Sequence, residues 1–337
     1  MRIAINGYGR IGKSFFRVLL DTPELAHKLE VVAINVGYGD PERIVHNTKY
    51  DSTMPTYTGE LSYKNGVFSA GPYRNITVLQ CVDFDKLDWQ FLDVDWVVDC
   101  TGQCTQRENA EKHLSAGAKK VLISAPAENE DVSIIPGVND SDYEPETHHI
   151  ISTGSCTTNA LLPLLKVFRD NFTIEKAFMT TTHAYTNSQA LLDETSGFEK
   201  VRRARSAPNN VVPTTTGASE MVDKIYPDIC DCIKARAIRT PVPIVSLVDL
   251  VVTTSQQLSV DRVHECFYTA ADNELKNILA MSDEPCVSTD YTGSDASVTL
   301  DTPLTQVIGD SIKVFGWYDN EWGYSARMRD FLLSCCS

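Results

Sequence analysis

The chain has 337 residues, 42% of them hydrophobic and 22% charged, and a net charge of −15. That length accommodates two domains of ordinary size in a globular protein. The acidity argues against a nucleic-acid or other polyanion partner, which would need a basic face, but leaves room for a local basic pocket that takes a small anion. Ten cysteines are scattered without zinc-type CxxC pairs, which predicts reduced thiols, a cytoplasmic protein and no metal site. The N-terminus lacks a secretory pattern, and no segment approaches the ~18–20 apolar residues that span a bilayer.

In chain order, Arg2–Asn6 is an apolar run that predicts a strand, and Gly7-Tyr8-Gly9-Arg10-Ile11-Gly12 follows at once and opens a predicted helix at Ile11–Leu20. A GxGxxG alone is a weak signal; between a strand and a helix it marks a dinucleotide loop. There the first glycine makes the turn, the second admits the pyrophosphate and the third lets helix and strand pack. The plain alternative is a glycine-rich turn without a ligand, and the context disfavours it. A second strand, Val31–Asn35, ends at Val36, where an NAD enzyme usually places an acid for the ribose hydroxyls. Without that acid nothing repels a 2′-phosphate, so NADP is expected to be at least accepted, with Asp40, Lys13 and Arg43 nearby in sequence.

Further strands are predicted at Val94–Cys100, Val121–Ser124 and Ile134–Val138, with a helix at Arg107–Ala116 between them. This alternation predicts an α/β, Rossmann-type doubly wound parallel sheet covered on both faces. After about residue 155 the strands lengthen and turn Thr/Val-rich (Lys176–Thr182, Val245–Ser255, Ser297–Leu300, Ile312–Trp317), with a helix at Val260–Ala271. That texture predicts an α+β domain on a mixed or antiparallel sheet. The stretch Ala184–Pro213 reads as a long loop carrying Arg202, Arg203 and Arg205, and loops of that length are usually functional.

Ser155 precedes a helical stripe at Leu161, Leu164, Leu165 and Phe168, so it reads as the N-cap and Cys156 falls on the first turn. A helix N-terminus favours thiolate over thiol. Pro163, in the second turn, should kink the helix without ending it. A buried structural cysteine is the commoner case, but the small polar neighbours count against it. His183 ends a Thr-rich strand beside Tyr185, Thr186 and Asn187. A lone histidine proves little; paired with an activated cysteine it can polarise the thiol and move a proton.

These segments resemble the phosphorylating glyceraldehyde-3-phosphate dehydrogenase family over essentially the full chain. The likeness is carried by INGYGRIGK at 5–13, KYDST at 49–53, AGAKKVLISAP at 116–126, SCTTN at 155–159 and HAYTN at 183–187. It continues through RRAR at 202–205, PTTTGA at 213–218, PVPIVSLVDLVV at 241–252 and WYDNEWGYSAR at 317–327. The resemblance implies a dinucleotide-binding domain over 1–155 and 320–337 and a catalytic domain over 156–319, with a C-terminal helix at about 321–333 returning to the first. It implies Cys156 as nucleophile and His183 as base, forming a thiohemiacetal and then a thioester that inorganic phosphate cleaves to an acyl phosphate. It places the substrate phosphate at Thr186 and Arg239, and inorganic phosphate at Ser155, Thr157, Thr216 and Gly217. The cofactor, NAD or NADP, is assigned to Gly7, Gly9, Arg10, Ile11, Gly12, Asn35, Val36, Thr101, Gly102, Ser124, Asn320 and Tyr324. It further implies a homotetramer whose loop at roughly 184–205 lines a neighbour's cofactor pocket.

Several positions depart from the family pattern: Ala160 replaces its second cysteine, Ser188 an acid, Ile244 an asparagine and Cys104 an aromatic, beside Val36. None removes the core chemistry. Erythrose-4-phosphate dehydrogenase is the rival activity, although its members tend to lose the HAYT sequence. Aspartate-semialdehyde dehydrogenase shares the Cys/His pair without the PTTTGA and WYDNEWGY segments together. A catalytically silent dinucleotide-binding regulator is the rival of another class.

Overall fold

The apolar run Arg2–Asn6 forms strand β1, and every residue after Arg2 is buried. The glycine turn then delivers the chain into helix α1, Arg10–Asp21, which buries Phe15, Phe16, Val18 and Leu19. Each such side chain contributes about 1.5–3 kcal/mol of transfer free energy, so the apolar face, more than intrinsic propensity, holds the helix. The computed structural model describes residues 1–195 and 201–336, and the chain divides into two units, Met1–Gly154 with Ser325–Ser337, and Ser155–Tyr324.

The first unit continues with β2 (Glu30–Asn35), α2 (Ile44–Lys49), β3 (Leu61–Lys64), β4 (Val67–Ala70), β5 (Tyr73–Leu79) and β6 (Trp96–Asp99). It is completed by α3 (Arg107–Ser115), β7 (Lys120–Ile123), β8 (Val132–Ser133) and β9 (Ile150–Ser152). The nine strands run in the order β3-β4-β5-β2-β1-β6-β7-β9-β8. Pairing is parallel from β5 to β8 and antiparallel in the β3-β4-β5 meander. All of β6 and all but the first residue of β2 are buried, as expected for strands covered on both faces.

One expectation is corrected here. The strand expected at Ile134–Val138 is instead the short β8, because Gly137 turns at φ +80° and the Asn139 side chain takes the Ile135 N–H at 2.8 Å. Ile134 and Ile135 are buried as loop residues. The expected parallel sheet carries in addition an antiparallel meander at its edge, whose Asn65-Gly66 turn has both residues at positive φ, the pairing that suits a tight hairpin.

The second unit comprises α4 (Cys156–Asn171), β10 (Ile174–Ala184), β11 (Val212–Thr214), α5 (Ala218–Ile225), β12 (Ile233–Thr240) and β13 (Ser246–Thr254). It goes on through α6 (Val260–Asp272), β14 (Leu279–Ser282), β15 (Val298–Asp301), β16 (Gln306–Ile308) and β17 (Ser311–Tyr318). Its sheet, β11-β12-β10-β13-β17-β15-β14 with β16 beside β17, is mixed: β10 and β12 are parallel, as are β14 and β15, and the other pairs are antiparallel. Helix α7, Trp322–Ser334, begins at the end of this unit. Its later residues belong to the first, where Phe331 sets its ring edge against Trp96 and Tyr143. Residues 196–200 of the long loop lie outside the described residues. Among the described residues no helix is long and apolar enough to cross a membrane.

Candidate active site

At the C-terminal end of β1, Gly7 turns at φ +92°, and a Cβ there would stand 2.8 Å from the Thr101 side chain. A Cβ on Gly12 would stand 2.0 Å from the Gly7 carbonyl oxygen, so these two positions take nothing larger than hydrogen. Gly9 is different. It is the N-cap of α1 with no side-chain cap, and a Cβ there would meet nothing within 4 Å. The space over Gly9 at the start of α1 fits a pyrophosphate at a helix N-terminus.

Around this turn the ends of three strands are tied by side chains. Asn35 Nδ2 donates to Asn6 Oδ1 at 2.7 Å, Asn6 Nδ2 donates to Asp99 at 2.7 Å, and the Thr101 hydroxyl donates to Asp99 at 2.8 Å. Gly102 follows at φ +72°, and Ser124 N–H donates to the Asp99 carbonyl at 3.0 Å. Asp99, Cys104 and His113 form a wholly buried cluster with metal-ligand donor types. The Trp89 indole N–H donates to His113 Nδ1 at 3.0 Å, which puts the imidazole proton on Nε2, facing Asp99 at 3.5 Å. A ligating Nε2 would need that proton moved to Nδ1, against the indole N–H, so the cluster is a hydrogen-bond network.

The charged residues near the ribose end are largely committed. Arg10 and Lys13 both pair with Asp51, at 2.5 and 3.3 Å, and Arg10 also reaches the Thr53 hydroxyl at 2.6 Å. Burial acts to raise Asp51, but the Thr53 N–H and hydroxyl together with Arg10 outweigh it and hold the carboxyl well below the usual range. The Asp40 carboxylate takes the Glu42 N–H at 3.1 Å and lies 3.8 Å from Arg43, whose side chain is 75% exposed. The Asn35 amide is spent on Asn6, Cys81 and Gly37.

In the second unit, Ser155 caps α4 by accepting the Thr158 N–H at 3.1 Å, so Cys156 is the first residue of the helix. The helix runs unbroken past Pro163 to Asn171. Cys156 Sγ lies 3.5 Å from His183 Nε2, and His183 occupies the second-last position of β10. His183 Nδ1 is 2.6 Å from the Ala184 carbonyl, while Arg239 Nη1 is 2.8 Å from Nδ1 and 2.9 Å from the same carbonyl. The guanidinium and a protonated Nδ1 thus both donate to Ala184 O, which leaves the Nε2 lone pair toward the sulfur. The β10–β12 register sets Arg239 beside His183. Arg239 Nε is buried without a hydrogen-bond partner, the state expected of a donor that answers an anion.

Burial pushes the Cys156 thiol up, opposed by Arg239 and hydrogen bonds at Thr157. Burial, then Arg239, lowers His183 to about 3, with the Ala184 carbonyl opposing and Arg203 assisting. The backbone N–H groups at the helix start favour the thiolate, in the direction expected from the sequence, and burial opposes them more strongly. Proton transfer across the 3.5 Å contact creates both charges together and leaves the pair neutral overall.

Sequence reasoning missed Tyr318 and Ser246. The Tyr318 hydroxyl sits 3.0 Å from the Thr157 hydroxyl and 2.7 Å from that of Thr181, and so links α4 to the strand of His183. Alternation along β17 signals that Tyr318 faces inward; nothing in the sequence names its partners. Among the expected phosphate ligands, the Thr186 hydroxyl is 2.9 Å from Ser188, and the Thr216 hydroxyl takes the Ala218 N–H at 3.3 Å beside Gly217, the N-cap of α5. Arg203 donates to the Thr214 hydroxyl and the Thr215 carbonyl at 2.8 and 3.0 Å. Asn320 and Tyr324 are buried. Contacts thus join Cys156, His183, Arg239 and Thr157 into one group, whereas Thr186 and Thr216 are held by local bonds.

The chain matches the models for the glyceraldehyde 3-phosphate dehydrogenase NAD binding domain over residues 1–107 and for the glyceraldehyde 3-phosphate dehydrogenase C-terminal domain over 155–320. It is 45% identical over 331 residues to glyceraldehyde-3-phosphate dehydrogenase of Geobacillus stearothermophilus, covering 98% of this chain and 96% of the relative. It is 44% identical over 335 residues to the Streptomyces coelicolor enzyme of that name, with 99% and 98% covered. Against glyceraldehyde-3-phosphate dehydrogenase 1 of Bacillus subtilis it is 43% identical over 332 residues, with 98% and 96% covered. With both family models matched and such relatives aligned along nearly the whole chain, this protein belongs to the glyceraldehyde-3-phosphate dehydrogenase family.

Proposed function

We propose that the chain catalyses the reversible, NAD(P)-dependent oxidative phosphorylation of glyceraldehyde 3-phosphate to 1,3-bisphosphoglycerate, with Cys156 as nucleophile. The observation that carries this is Cys156 Sγ at a helix start, 3.5 Å from His183 Nε2, beside a buried and unanswered Arg239 Nε. The Cys156 sulfur bonds to the aldehyde carbon as its proton passes to His183 Nε2. The Cys156 backbone N–H and the protonated imidazole stabilise the oxyanion, which takes the proton back as a thiohemiacetal. When bound, the nicotinamide ring supplies the hydride acceptor. His183 removes the hydroxyl proton as the thioester forms. A phosphate oxygen then attacks the thioester carbon, the C–S bond breaks, an acyl phosphate leaves and the sulfur regains its place beside His183.

Arg239 and Thr186 are assigned to the substrate's phosphate, and Ser155, Thr157, Thr216 and Gly217 to inorganic phosphate. Residues 1–155 with 320–337 serve the cofactor and 156–319 the chemistry. Gly7, Gly9, Gly12 and the N–H groups of Arg10 and Ile11 take the pyrophosphate; Asn35, Val36, Thr101, Gly102 and Ser124 line the crevice, and Asn320 with Tyr324 meets the nicotinamide side. Acceptance of NADP is supported by Val36 and by the engagement of Asp40 with its own turn. The protein acts in the cytoplasm as a homotetramer, without nucleic-acid or membrane partners.

Cys156→Ser should lose at least about a thousandfold in kcat, in line with removal of a covalent nucleophile. His183→Asn should still be alkylated by iodoacetate at Cys156, but only at higher pH, since the sulfur loses its proton acceptor. Triose phosphate oxidation by Cys156→Ser at an undiminished rate would overturn the mechanism.

A further inference from the structure

Ser246 opens β13 and is 1% exposed. The residue before it, Val245, is a buried β-branched residue at φ +65°, a conformation that persists only where surrounding contacts impose it. What the strain positions is one hydroxyl. Ser246 Oγ accepts the Ala184 N–H at 3.1 Å and donates to Asn320 Oδ1 at 3.1 Å. Ala184 directly follows His183, so one oxygen touches both the end of the His183 strand and the Asn320 amide.

A serine hydroxyl has a single proton. The Ala184 N–H can only donate, so it takes an Oγ lone pair and leaves the proton for Asn320 Oδ1. The neighbouring Tyr318, opposite Ser246 in the strand register, has its hydroxyl against those of Thr157 and Thr181 and against that of Ser246 as well; the phenol proton, given to the second Oγ lone pair, leaves the Ser246 proton with Asn320 Oδ1. With Oδ1 engaged, Asn320 presents its Nδ2 hydrogens as donors. The backbone on either side is also fixed: Asp319 accepts the Glu321 and Trp322 N–H groups at 2.9 and 2.8 Å and the Gly293 N–H at 2.8 Å.

We propose that Ser246 is a positioning residue that holds the Asn320 amide in the orientation offering N–H, and so selects for a carbonyl oxygen on the cofactor's nicotinamide substituent. This rests on the assignment of Asn320 to the nicotinamide side made above. The test is equilibrium binding by titration calorimetry, with NAD and its thionicotinamide analogue, whose sulfur is a weaker acceptor. The unaltered protein should prefer NAD by about tenfold, the worth of one good hydrogen bond. Ser246→Ala should bring the two dissociation constants within about twofold of each other, because the freed amide can turn its oxygen outward. Ser246→Thr, which keeps the hydroxyl, should retain the preference. Ser246→Cys keeps the shape with a weak donor and should lose it, which provides the same reading if the alanine variant does not fold. A preference unchanged in both Ser246→Ala and Ser246→Cys would overturn the proposal. Preservation of the preference in Asn320→Ala would instead overturn the assignment of Asn320, and this inference with it.

Discussion

At Cys156 and His183 the relevant quantity is the energy of the pair. Burial opposes a lone thiolate and a lone imidazolium alike, but a proton shift between atoms 3.5 Å apart introduces no net charge and gains their attraction. Arg239 acts on both members, favouring the thiolate and disfavouring the imidazolium, so an anion on the guanidinium would rebalance the pair. The proposed acceptance of NADP also turns on single side chains. Lys13 is held by Asp51 and Asp40 caps its own turn, which leaves the exposed Arg43 as the nearby cation able to swing. Arg43→Ala should lower kcat/KM with NADP by about tenfold while leaving NAD within about twofold, as loss of one exposed phosphate contact implies. Equal falls for both cofactors, or a thousandfold preference of the unaltered enzyme for NAD, would remove the case for NADP.

At the scale of elements, two helix starts carry the proposed sites, and they are built differently. α4 is closed by the Ser155 cap, which fixes Cys156 on its first turn. α1 begins at a glycine that supplies no side-chain cap, the form that suits a ligand at a helix N-terminus. The side chains above α1 are anchored through Asp51, whose side chain is 5% exposed and pairs with both Arg10 and Lys13. Because the folded state holds this carboxyl below its ordinary 3.8, the unfolded chain binds the extra proton on acidification. Its stabilisation is therefore complete above pH 3.8 and declines below it. Asp51→Asn should cost on the order of 2 kcal/mol near neutrality, the worth of hydrogen bonds to a charged group, with the gap to the unaltered protein narrowing below pH 3.8. Urea denaturation at a series of pH values reads this directly; a gap that widens on acidification would refute the assignment.

For the molecule as a whole, the second unit leaves large apolar side chains in water, among them Phe178 at 64%, Leu191 at 74% and Ile308 at 82% exposure. In the proposed tetramer, neighbouring subunits would be expected to cover apolar side chains of this kind where they lie together. Light scattering should return four times the 37.4 kDa chain mass, and a monomer at working concentration would exclude it. Local chemistry wrote much of this protein legibly. The GxGxxG turn, the Ser155 cap, the helix at Cys156 and the alternation of β10, β13 and β17 all follow from nearest-neighbour sterics, capping and apolar period. The Asn65-Gly66 hairpin was equally local, yet only the structure showed it lying on the edge of an otherwise parallel sheet. Which side chains meet on one acceptor across 56 residues, as Arg239 and His183 do at the Ala184 carbonyl, or share a hydrogen bond across 161, as Thr157 and Tyr318 do, depends on strand register and packing. Those are set by long-range burial, so Cys156 and His183 could be picked out along the chain as the candidate nucleophile and base, but their approach to one another and their supports were decided only when the sheet closed around them.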